Sequence, residues 1–171
     1  MVSFHWDPVG IAIWFVAFLL SATCHEAAHA LAARRGGDDT AFEAGQVSLN
    51  PLPHLVREPF GMVFVPVLSY LWAGWMIGWA SAPYDPDWAE RHPRRAGWMA
   101  LAGPAANFAL AGLAVFGIRA MLWLGLGAPP ATAGLEHLID PVAGADPMLA
   151  QLGRFLSILA LLNGLLGTFN L

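Results

Sequence analysis

Charge is what this sequence has least of. Of its 171 residues, 12% are Asp, Glu, Lys or Arg, about half the share a soluble domain uses to hydrate its surface. So few charges cannot coat a water-soluble globule. Cysteine is nearly absent as well: Cys24 stands alone, which excludes an intrachain disulfide. There is no basic run and the net charge is −4, which argues against nucleic acid as a partner. No Lys or Arg precedes the first apolar stretch. A secretory signal peptide has a basic start there, so this stretch is expected to stay in the mature protein. Neither an internal repeat nor a soluble second domain is visible.

What is present in quantity is apolar. Hydrophobic residues make up 57% of the chain, with eight Trp and ten Phe, and mean hydropathy is +0.56. Aromatic rings favour membrane interfaces and apolar interiors, so the expected solvent is the lipid bilayer. Four segments, at about 9–33, 60–82, 96–119 and 150–171, are long and nearly charge-free. About 20 residues cross a hydrocarbon core at 1.5 Å per residue. The expected fold class is therefore all-α, a polytopic membrane helix bundle of about four transmembrane helices in one domain over 1–171. The Gly74 and Gly78 pair in the second segment has the spacing of a helix-packing site. The first two connectors carry three Arg each. If the second segment is a simple span they lie on opposite sides, and the positive-inside rule ties.

One motif inside the first segment carries chemistry. His25-Glu26-Ala27-Ala28-His29 reads H-E-x-x-H, which puts two imidazoles on one helix face, with Cβ atoms about 5–6 Å apart. They can converge on one Zn²⁺ at about 2.0–2.1 Å each, and Glu26 can act as general base toward a water. Ionisable groups inside a membrane span are costly and mark function by default. The competing reading is a pair of histidines hydrogen-bonded to neighbouring helices. His54, in Asn50-Pro51-Leu52-Pro53-His54, is a candidate for approaching the metal or substrate from a Pro-flanked re-entrant element; a solvated loop histidine is the alternative. Asn107 in the third segment either donates to substrate or an oxyanion or makes an interhelical hydrogen bond, with Gly103 and Pro104 permitting close approach. His92 and His137, with Asp85, Asp87 and Asp140, sit in polar connectors and are expected to be solvated.

These stretches together resemble the site-2 protease family of membrane zinc metalloproteases, in the short bacterial branch whose first helix bears the zinc motif. The resemblance rests on His25 to Leu31, Gly37 to Ala41, Gly45 to His54, and Ala102-Gly103-Pro104-Ala105-Ala106-Asn107. It implies an integral, multi-pass protein of the bacterial inner membrane that cleaves peptide bonds in or near transmembrane segments of membrane proteins. His25 and His29 would ligate zinc and Glu26 would be the base. The family's third ligand is an Asp in a Leu-Asp-Gly motif after an Asn in the last core helix. Leu162 to Leu171 resembles the run-in to that motif, so the chain is expected to be a fragment. The branch also places Asp-Pro after the position of His54, where this chain has Leu55-Val56-Arg57-Glu58-Pro59. Gly45 to Leu49 is expected to form a short strand that pairs with an unwound substrate. A non-hydrolytic zinc-binding membrane protein, a metal sensor or transporter or a helix-binding relative, is the alternative function, and Glu26 distinguishes the two.

Overall fold

The computed structural model describes residues 6–171; His5, which has no assigned role, lies outside them. Three helices are long and apolar enough to cross a membrane: α1 (Pro8–Gly36), α6 (Pro93–Trp123) and α7 (Pro147–Phe169). Each opens on a proline, whose missing N–H costs nothing at a first helical position. The N-cap Asp146 side chain accepts from Met148 N–H at 2.7 Å. The end of α1 is set by Gly37, whose φ of +95° closes the helix in a left-handed turn that glycine enters without steric penalty.

The α6 helix packs on both α1 and α7 and runs opposite to them. At one end Arg154 of α7 pairs with Asp7, ahead of α1, at 2.9 Å. At the other, Arg95 near the start of α6 donates to the Gly36 carbonyl, at the end of α1, at 3.0 Å. Trp14, Phe18, Met62, Ile118 and Ile158 lie in the core between them. Trp98, Phe116 and Trp123 stay exposed on the outside of α6, as a lipid-facing surface requires. All this is an all-α membrane helix bundle. The one β ladder among the described residues pairs Gly127–Ala128 (β1) with Asp140–Pro141 (β2), in the loop before α7.

The second expected span, 60–82, is not one. A π-helical turn at Phe60–Phe64 leads into α4 (Val65–Ala73), giving 14 residues and about 21 Å of helix, too short for a core of about 30 Å. Gly74, at φ +77°, ends the helix, and the chain returns extended along it. Trp79 N–H donates to the Gly61 carbonyl at 3.2 Å. A Cβ on Gly78 would strike that carbonyl and the Phe18 ring, so Gly78 serves the close approach of strand to helix. It does not share a helix face with Gly74, as the sequence reading supposed. The return ends where the segment began: Ser81 donates to Glu58 at 2.6 Å, and Asp85 N–H donates to Asp38 at 3.0 Å. The segment is a hairpin of helix and extended chain. The first two polar connectors therefore sit at one end of the bundle.

These connectors hold α2 (Thr40–Glu43), α3 (Pro51–Arg57) and α5 (Pro86–Arg91). Gly45 to Leu49 is not a strand. Gln46 N–H turns back to the Ala41 carbonyl at 2.8 Å and its buried side chain donates to the Pro53 carbonyl at 3.1 Å, so the backbone curls and offers no edge.

Candidate metal centre

His25 and His29 lie one turn apart on α1, facing α6. Their rings can sit there because residue 103 is glycine: a Cβ at that position would collide with Nε2 of both histidines. Their Nε2 atoms are 2.9 Å apart.

The hydrogen bonds around the rings decide which nitrogen carries each proton. His29 Nδ1 faces the Met99 carbonyl at 2.7 Å, and a carbonyl only accepts, so Nδ1 is the protonated nitrogen. Two amides fix the proton of His25. The Asn163 group facing the Leu159 carbonyl at 2.9 Å must be its NH₂, so its oxygen accepts from Asn107 Nδ2 at 2.6 Å. That turns Asn107 Oδ1 toward His25 Nδ1, which must donate. Asn163 Nδ2 also donates to Ser21 Oγ at 2.8 Å, and Ser21 donates to the Ala17 carbonyl at 2.6 Å. Asn107, Asn163 and Ser21 are fully buried, so none can exchange these partners for water.

Both neutral rings thus present an unprotonated Nε2 to the same point. Two lone pairs at 2.9 Å do not hydrogen-bond; they repel unless a cation lies between them. Tetrahedral ligands at about 2.0–2.1 Å would stand about 3.3 Å apart, so a small opening of the pair fits zinc. Ligating histidines usually donate their other nitrogen in this way. Among the described residues, no group of three or more His, Cys, Asp or Glu surrounds one point.

The rings line a cavity of about 470 Å³ with Glu26, Asn170 and the extended segment Ala80 to Tyr84. Glu26 is buried and borders the same cavity. Pro104 has no N–H to offer the Ala100 carbonyl, and Ala100 also lines this cavity.

The other candidates fall elsewhere. His54 is buried in α3, its Nε2–H donating to the Ser48 carbonyl at 3.0 Å, and it does not line the cavity. Asn107 spends both amide atoms on His25 and Asn163 and is likewise absent from the lining; its geometry is that of a positioning residue. His92 precedes α6 beside Trp88, and exposed His137 lies 3.9 Å from Asp140. Sequence reasoning missed the hydrogen-bonding roles of Asn163 and Ser21, polar residues inside apolar runs, and the Met99 carbonyl, which has no signal.

Two curated relatives match. A protein named "Putative zinc metalloprotease YwhC" from Bacillus subtilis (strain 168) is 33% identical over 173 residues, covering 100% of this chain and 68% of that protein. The chain belongs to this zinc metalloprotease family. A second member, "Putative zinc metalloprotease Rip2" from Mycolicibacterium smegmatis, is 33% identical over 116 residues, 67% of this chain and 43% of that protein. No family model matches, and no solved structure matches.

Proposed function

We propose that the chain is an intramembrane zinc metalloprotease of the site-2 type, hydrolysing peptide bonds in or near transmembrane segments of membrane proteins. The observation that carries this reading is the pair of bare Nε2 atoms, fixed by buried hydrogen bonds inside an apolar helix and opening on a cavity shared with Glu26. His25 and His29 would hold the zinc. Asn170, the C-cap of α7, also borders the cavity. When bound, zinc supplies a Lewis acid for a carbonyl and acidifies a water at neutral pH. Glu26 takes the proton from the attacking water on a carboxylate oxygen and returns it to the leaving amine nitrogen.

The hairpin supports this function in two ways. Non-helical backbone at membrane depth is tolerated where it lines a watered cavity, and Ala80 to Tyr84 does so. Its extended backbone is also the element suited to pairing with an unwound substrate, in place of Gly45 to Leu49. Because the hairpin returns to its starting end, Arg34, Arg35, Arg57, Arg91, Arg94 and Arg95 share the cavity's end of the molecule, against Arg119 and Arg154 at the other. The positive-inside rule then favours a site opening to the cytoplasm.

Cleavage of a transmembrane-helix substrate in liposomes, with zinc content measured for wild type and Glu26→Gln, tests the reading. We expect equal zinc and a loss of turnover of about 10²–10⁴-fold, the range for removing a general base. Zinc bound by a folded wild-type protein that cleaves no such substrate would favour the non-hydrolytic alternative.

A further inference from the structure

Between α1 and α6, on other residues than those lining the histidine cavity, lies a second concavity of about 750 Å³. Its rim is basic: Arg34 and Arg35 at the end of α1 and Arg95 at the start of α6, with exposed Trp98 beside them. No acidic residue lines it. Arg35 has no ion pair or side-chain hydrogen bond among the described residues. Arg94 and Arg95 stand in the first turn of α6, where the helix dipole is unfavourable to cations; an anion at this rim would relieve that repulsion. Below the rim the floor is made of Ala28, Ala32, Ala102 and Ala105, small residues that leave an apolar furrow between two membrane-crossing helices.

Arg34 already faces Asp39 at 3.8 Å and lies over the Phe42 ring, so we infer that this groove binds an anionic glycerophospholipid with its phosphate on Arg35 and Arg95 and one acyl chain along the alanine floor. The basic rim alone would suit any phosphate. The floor decides for lipid: Ala105 lies ten residues beyond Arg95, about 15 Å deeper along α6, and a soluble anion would leave that apolar depth unfilled. Basic pockets between membrane helices take anionic headgroups for this reason, each arginine near the surface strengthening attraction by about fivefold. The inference rests on the membrane-spanning fold and not on hydrolysis, so it is tested without zinc or substrate.

The test is retention of phosphatidylglycerol against phosphatidylcholine of the same chain length by the purified protein in detergent, read by native mass spectrometry. We expect phosphatidylglycerol to be preferred by at least about tenfold. Arg35→Gln with Arg95→Gln should bring the two lipids to near equality, while Arg119→Gln, at the opposite end of α6, should keep the preference. Arg35→Glu, at an exposed and unpaired position, provides a second variant independent of the Arg95 contact to Gly36, and should also lose it. Equal retention of both lipids by wild type, or a preference that survives Arg35→Glu, overturns the proposal. So does release of phosphatidylglycerol by inorganic phosphate, which would make the site one for soluble anions.

Discussion

Replacing Asn107 by Leu keeps the branched heavy-atom skeleton and removes both hydrogen bonds. Two buried polar atoms then lose their partners, His25 Nδ1–H and Asn163 Oδ1. At about 1–3 kcal/mol for each orphaned group, the fold should lose about 2–6 kcal/mol. The ring has one escape: move its proton to Nε2, which then donates to His29 Nε2, 2.9 Å away. That relieves the orphan and consumes the lone pair needed by the metal. Zinc affinity, read by competition with a chromogenic chelator in detergent, should fall about 10–100-fold, as when an outer partner of a ligating histidine is lost. Asn107→Asp separates the two effects. It still accepts from His25, so affinity should stay within a few-fold of wild type, but its carboxylate faces the Asn163 oxygen and lowers thermal stability. If folded Asn107→Leu protein bound zinc within about twofold of wild type, the reasoning on proton placement would be refuted.

Three other outcomes are expected. Gly103→Ala should abolish zinc binding because its Cβ meets both Nε2 atoms, while Gly112→Ala, in open space on the same helix, should bind normally and gain up to about 1 kcal/mol of helix propensity; equal zinc content in both would remove the steric argument. In metal-free protein, ¹⁵N spectra of labelled histidine should show His25 and His29 protonated on Nδ1 and bare on Nε2, and a protonated Nε2 on either ring would contradict the assigned tautomers. Asp38→Ala should loosen the start of α5 against the end of α1, leaving the Trp88 bond to the Gly36 carbonyl, at a cost of about 1–3 kcal/mol, measured as a lower thermal midpoint. Although burial pushes its carboxyl up, bonds from Thr40 and the Asp85 N–H outweigh this and hold it below the ordinary value. A depressed value means that the stabilisation is full above about pH 4 and disappears as pH falls through the folded value; an Asp38→Ala deficit that persists unchanged in acid would disprove it.

How much was legible can be seen residue by residue. The facing of His25 and His29 was readable because helical spacing alone puts positions four apart on one face. His54 misled because a proline-flanked loop looks like a re-entrant element, whereas α3 buries it against its own connector. The 60–82 stretch misled because hydropathy counts apolar residues without seeing direction. Gly74 stopping the helix, and Gly78 letting the chain return against Gly61, turned a span into a hairpin and moved both connectors to one end.

By itself the sequence determined the apolar solvent, the helical class and the pairing of His25 with His29 on one helix face, since composition and a period of 3.6 residues are local properties. Only the tertiary structure decided what those side chains are chemically. Whether a histidine offers a lone pair or a proton depends on what faces its other nitrogen. Here those partners are a carbonyl 70 residues away and an amide chain ending on Leu159 and Ala17, contacts that exist only once three helices have packed.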